Sequence, residues 1–250
     1  MTKKKDNAPE TGAELTTLSD KQMEDHLAVY AGEWGGRGPT APEIKVSYAK
    51  DDTLTKYVIK KGDEVEVLGK TVDVVILKCR NQYSLYAENQ DEAMKTDEFD
   101  DFREEVTLRK GKDVIMCKPY PEVKAFIKEQ HPEMKFINVL YVMYEGAVHK
   151  IYVKPASRQA LWDYQAATAG RASFSFTTRL DTTEGSKGAT VFYPMTFTKT
   201  TDMLPAEFKK MMLLRVELDK TLVLLEDANA KKVPESTDDL NHEQILELFE

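Results

Sequence analysis

The chain has 250 residues, a formal net charge of −8 and a pI near 5.3, with 41% hydrophobic and 31% charged residues. That is enough apolar material for one full-sized domain, and it excludes a disordered chain, a collagen or a disulfide scaffold. Apolar runs such as Val139–Tyr144 are too short to cross a bilayer, the start Met1-Thr2-Lys3-Lys4-Lys5-Asp6 has no apolar leader core, and the two cysteines, Cys79 and Cys117, suit free thiols in a reducing cytoplasm.

Residues 1–18 are polar and are expected to be a disordered arm. Ser19-Asp20-Lys21-Gln22 reads as a capping box that opens a short helix reaching Tyr30. Ala31–Pro42, with four glycines and two prolines, is a loop carrying Trp34 and Arg37. Strands are expected at Ile44–Tyr48, Tyr57–Lys60 and Glu64–Leu68, then a long one at Val72–Tyr86 that is apolar on both faces in its first half and polar on one face in its second. Glu88–Glu105 is a solvated acidic insert by composition. Val106–Leu108 and Asp113–Cys117 are further strands, and Pro121–Gln130 is a short helix. Lys135–Tyr144 and Ala147–Lys154 form a hairpin across Glu145-Gly146. Ser157 caps a helix through Ala169, and Ser173–Leu180 and Ala189–Thr198 form a second hairpin. Helix 203–227 carries Leu204, Phe208, Met211, Arg215, Leu218, Leu222 and Leu225 at alternating steps of four and three, a heptad seam with one polar interruption. It either packs on its own sheet or joins two subunits as a homodimer. Residues 228–250 are a linker and an acidic tail. The layout predicts a single domain over 19–227, mainly β with helices (α+β).

Catalytic signatures are sparse. The histidines His26, His131, His149 and His242 are scattered and none lies beside a cysteine, so no metal or other cofactor is expected. No phosphate-binding loop, dinucleotide fingerprint or nucleophile elbow occurs. Asp97, Glu98, Asp100 and Asp101 are dense enough to raise a metal-dependent nuclease as an alternative, but they lack the spacing and glycine of a calcium loop. The chain is read as a non-enzyme.

The charge distribution is more informative. Residues 87–105 carry net −7 and residues 233–250 net −6, whereas 106–232 carry net +6. A single strand of nucleic acid binds where cations follow its phosphates and aromatic rings stack on its bases. Lys78 and Arg80, with Tyr83 and Tyr86, lie in one strand, Tyr83 alternating to the face opposite Arg80. Lys150, Tyr152 and Lys154 share a face of the first hairpin. Arg158 and Trp162 follow on a helix, and Arg171 and Arg179 lie in or beside the second hairpin. These cations are expected to neutralise phosphates and these rings to stack.

The strand-rich body from Ile44 to Lys199 and the tail bearing Asp238, Asp239, Glu243, Glu247 and Phe249 together resemble phage-type single-stranded DNA-binding proteins. The resemblance implies an OB-like barrel with inserted loops, a long C-terminal helix and an acidic tail. It also implies sequence-independent binding of single-stranded DNA in replication or recombination, with the tail competing with DNA and docking on replication proteins. Here Phe249 is followed by Glu250, and Leu240, Ile245, Leu246 and Leu248 make the tail more apolar than is usual in that family. A structural or virion-assembly protein is the remaining alternative.

Overall fold

The computed structural model describes residues 41–47, 56–61, 64–85, 93–187 and 190–230. The arm 1–18, the helix from Ser19, Trp34, Tyr86 and the tail residues Asp238, Asp239, Glu243, Glu247 and Phe249 lie outside them. The class expected from the sequence, mainly β with helices (α+β), is what forms; the sheets are antiparallel and are not closed.

The central strand is β4 (Val72–Leu85), whose β-branched, apolar first half is almost wholly buried. The three strands before it, β1 (Ile44–Ser47), β2 (Lys56–Lys61) and β3 (Glu64–Gly69), form a small sheet of their own. After it come β5 (Met94–Thr96), β6 (Glu105–Lys110) and β7 (Asp113–Pro119), then helix α1 (Tyr120–Gln130). The hairpin β8 (Lys135–Tyr144) and β9 (Ala147–Val153) follows, then helix α2 (Pro155–Ala167). Strand β10 (Phe176–Thr182), the short pair β11 (Gly185–Lys187) and β12 (Thr190–Phe192), β13 (Met195–Asp202) and helix α3 (Pro205–Ala230) complete the described chain.

One edge of β4 pairs with β8 along most of its length, and β8 passes the sheet on to β9. The other edge pairs with β10 at its start and with β5 at its end, leading to β13 and to β6–β7 respectively. Between those two, Phe99 bridges Asn81 through a reciprocal pair of backbone bonds of 2.8 and 3.0 Å. The β8–β9 hairpin turns at Glu145 (φ 45°) and Gly146 (φ 83°). Two successive positive φ values define the mirror-image turn that matches strand twist, which is why glycine stands at its second position.

Three helices cover the two faces of this sheet. On one face α2 packs Leu161 and Tyr164 onto Val72, Val74, Ile76, Leu140, Val142 and Phe176. Further along, α1 packs Val123 and Ile127 with Phe99, Leu108 and Met134. The opposite face takes α3, through Met211, Leu218 and Leu222 against Val75, Leu77, Val139, Tyr141 and Met143. Each such buried side chain stabilises the fold by about 1.5–3 kcal/mol.

From Met211 to Leu222 the expected heptad seam therefore turns inward onto the chain's own sheet, whereas Leu204, just before the helix, is exposed. The helix itself spans Pro205–Ala230 rather than 203–227, opened by the Glu207 carboxylate accepting from the backbone N–H of Leu204 at 3.1 Å. Other boundaries also shift. Helix α2 begins at Pro155, because proline at the first helical position is pre-set for the helix, and Lys154 occupies the capping position. Ser157 is not a cap; it is buried and its hydroxyl accepts from the backbone N–H of Met195 at 2.8 Å. Ser173–Ser175 forms a 3-10 turn, so the strand starts only at Phe176.

Candidate nucleic-acid interface

The eleven side chains expected to bind a strand fall into three places, with Tyr86 outside the described residues. The first is the α3-covered face of the sheet. Register sets Lys78 beside Tyr141 and Tyr141 beside Lys150; the next row runs from Arg80 through Val139 to Tyr152. Four expected site residues, Lys78, Arg80, Lys150 and Tyr152, thus share one face, as alternation required.

That face is occupied by the chain itself. Asp100 lies 2.5 Å from the Lys78 ammonium and 3.0 Å from the Arg80 guanidinium. Glu98 accepts from Lys150 at 2.8 Å and from the Tyr141 hydroxyl at 2.6 Å, and its backbone carbonyl accepts from Arg80 at 2.6 Å. From above, Asp219 of α3 accepts from Lys78 at 2.7 Å and from Arg215 at 2.8 Å. Burial would raise the Asp219 carboxyl, but the bonds from Arg215 and Lys78 outweigh it and hold the group below the usual range. Burial, reinforced by the nearby Glu98 charge, pushes the Tyr141 and Tyr152 hydroxyls up.

From residue 93 on, the acidic segment is thus tied to the sheet rather than being a solvated loop; Glu88 and its neighbours to 92 lie outside the described residues. Phe99 anchors it at 2% exposure, and Asp97 completes it with a two-pronged pair to Arg109. Among the described residues no group of three or more His, Cys, Asp or Glu is arranged to hold a metal ion. The Cys79 thiol is pushed up to about 11 by burial, which leaves it a poor nucleophile.

The second place is the outer strands. Arg179 grips Asp73 across the β10–β4 pair with two bonds of 2.8 Å. Arg171 lies 2.7 Å from Asp202, which also holds Lys199 at 2.8 Å. An open cleft of about 530 Å³ beside Arg179 is rimmed by Asp73, Asp202 and Glu207 as well as by Lys210, so its carboxylates outnumber its cations.

The third place is the far end of β8, where α2 passes over the sheet. The Arg158 guanidinium sits 4.8 Å from the Trp162 ring and 5.3 Å from the Phe136 ring. Phe136 meets Phe102 at 6.3 Å and Tyr83 edge-on at 5.1 Å. A row therefore runs Trp162, Arg158, Phe136, Phe102, with both ends open: Trp162 is 44% and Phe102 49% exposed. Lys154 at the start of α2 is exposed, as is Arg103 beside Phe102, 3.8 Å from Asp101, whereas Lys135 alternates to the face opposite Phe136. The structure brings Tyr83, Arg158 and Trp162 together as expected site residues and adds Phe136 and Phe102, which sequence reasoning missed. Phe136 reads as an ordinary strand residue until α2 is placed over it, and Phe102 is hidden in composition by the carboxylates around it.

Comparison of the chain with known protein families, with curated proteins and with solved structures finds no match. No described helix is long and apolar enough to cross a membrane.

Proposed function

We propose that this protein binds single-stranded DNA without sequence preference, in replication or recombination, through the ledge formed by Trp162, Arg158, Phe136 and Phe102. The observation that carries the reading is the Arg158 guanidinium held between two rings, with an exposed indole outside it. Planar cation and ring surfaces at this spacing suit splayed bases, which stack on any π-face, and the exposed Lys154 and Arg103 suit the phosphates. A duplex keeps its bases stacked inside and gains little from such a ledge.

The cations of the covered face, Lys78, Arg80 and Lys150, are assigned to holding the acidic segment in place. The reading does not require the sheet to close into an OB-like barrel; an open antiparallel sheet with a helix over one end presents the same ledge. The tail from Val233 to Glu250, with six carboxylates and no lysine or arginine, is assigned to competing with DNA for the ledge cations and, when displaced, to docking on replication proteins.

Titration of a fluorescent oligo-dT against the protein and its Trp162→Ala and Arg158→Ala variants tests this. Each substitution is expected to weaken binding by roughly tenfold, in line with about 1–3 kcal/mol per stacked base. Unchanged affinity in both would remove the ledge from the account.

A further inference from the structure

We propose that the bound strand runs on from the ledge onto α1, where Lys124 and Lys128 hold its phosphates. This rests on the nucleic-acid reading of the ledge and extends it to a second helix.

The row of rings does not stop at Phe102. Phe102 meets Tyr120, the first residue of α1, at 4.9 Å, and the Lys124 ammonium lies 5.7 Å from the centre of the Tyr120 ring. Phe136 and Phe102 thus floor a gap between two helices on one face of the sheet. Each helix sets a cation on a ring at its own side: Arg158 of α2 on Phe136 and Trp162, Lys124 of α1 on Tyr120. Tyr120 itself is buried and its hydroxyl is hydrogen-bonded to that of Tyr83, so it supports the floor and offers no face to a base.

Helical spacing sorts the charges of α1. Lys124 and Lys128 are one turn apart and follow Tyr120 along the same flank. Glu122 and Glu129, two turns apart, align with each other about a third of the way round the helix from the lysines. Both lysines are exposed. A strand leaving Phe102 therefore meets the two cations and not the two carboxylates.

Pairing separates these cations from those under α3. Lys78, Arg80 and Lys150 are each held by a carboxylate. Among the described residues Arg158, Lys124 and Lys128 have no ion pair, and Arg158 and Lys124 rest on rings instead. A ring attracts a cation through its quadrupole without cancelling the charge, so the cation stays available to an anion. The carboxylates beside Phe102 are turned into their own loop. Glu104 accepts from the backbone N–H groups of Asp100 and Asp101 at 3.2 and 2.9 Å, and Asp101 accepts from that of Arg103 at 3.2 Å. Lysine contacts to phosphate carry no base information, which suits a strand bound without sequence preference.

Anisotropy titration of the full chain with fluorescent oligo-dT across a range of salt tests this. Each phosphate neutralised on a single strand contributes about 0.7 to the slope of log affinity against log salt. K124A/K128A is expected to lower that slope by about 1.4 and to weaken binding at least about tenfold at about 0.1 M salt, while K124R/K128R keeps the wild-type slope. K209A/K210A, an equal loss of charge on α3, should leave the slope unchanged. Trp162→Ala should weaken binding at an unchanged slope, because it removes a stacking surface and no charge. A slope indifferent to K124A/K128A, or lowered as much by K209A/K210A, overturns the proposal, and the ledge still stands if Trp162→Ala weakens binding. If Trp162→Ala and Arg158→Ala both leave affinity unchanged, the ledge itself fails, and the track along α1 with it.

Discussion

Arg215 of α3 donates a hydrogen bond to the backbone carbonyl of Leu77 in β4. The two residues explain each other. The β4–β8 register shifts between Ile76 and Lys78, which leaves Leu77 as an extra residue. Such a bulge interrupts the ladder, and a buried carbonyl there needs another donor. The one polar residue in an otherwise apolar heptad seam supplies it, while its other nitrogen holds Asp219.

Arg215→Leu would perfect the heptad on paper, yet it should destabilise the fold. It leaves the Leu77 carbonyl without this donor and removes one of the cations on Asp219. We expect a loss of about 1–3 kcal/mol in urea unfolding. A variant as stable as the wild type would mean that the bond contributes nothing net.

Glu98 links Lys150 to Tyr141 under α3, with the Glu98 and Lys150 side chains only 12% and 14% exposed. Glu98→Gln keeps the shape but strands the ammonium, so it should cost about 3 kcal/mol, the range for breaking a largely buried pair. Pairing it with Lys150→Met should cost less than the sum of the two single changes. Strict additivity in thermal or urea melts would contradict the assignment of Lys150 to structure.

The tail makes a separate prediction. Deleting residues 233–250 should tighten oligo-dT binding severalfold at low salt, with the gain shrinking as salt screens the charges. Affinity that is unchanged at low salt would show that the tail does not compete.

Much of this arrangement was legible in the residues. Alternation placed Lys78 and Arg80 on one face and Tyr83 on the other, and the inward seam of α3 followed from its spacing. What alternation cannot supply is the cover. Lys78, Arg80 and Lys150 looked like free cations because their partners, Asp100, Asp219 and Glu98, lie between 18 and 141 residues away along the chain or in a run that composition marked as solvated. The local hints were Phe99 and Phe102, aromatic residues set among carboxylates, of which Phe99 is the anchor that folds the segment onto β4. The ledge was half visible for the same reason. Arg158 and Trp162 are one helical turn apart and meet by spacing alone, whereas Phe136 joins them only through the packing of α2 over β8.

The most direct measurement uses the protein's own fluorescence. The chain has two tryptophans, so Trp34→Phe leaves Trp162 as the sole indole reporter. Stacking of bases on the ledge predicts a saturable quenching of that signal by oligo-dT, much weaker with a duplex of the same length. Binding of oligo-dT detected by anisotropy with no change at Trp162, or equal quenching by duplex, would contradict the account.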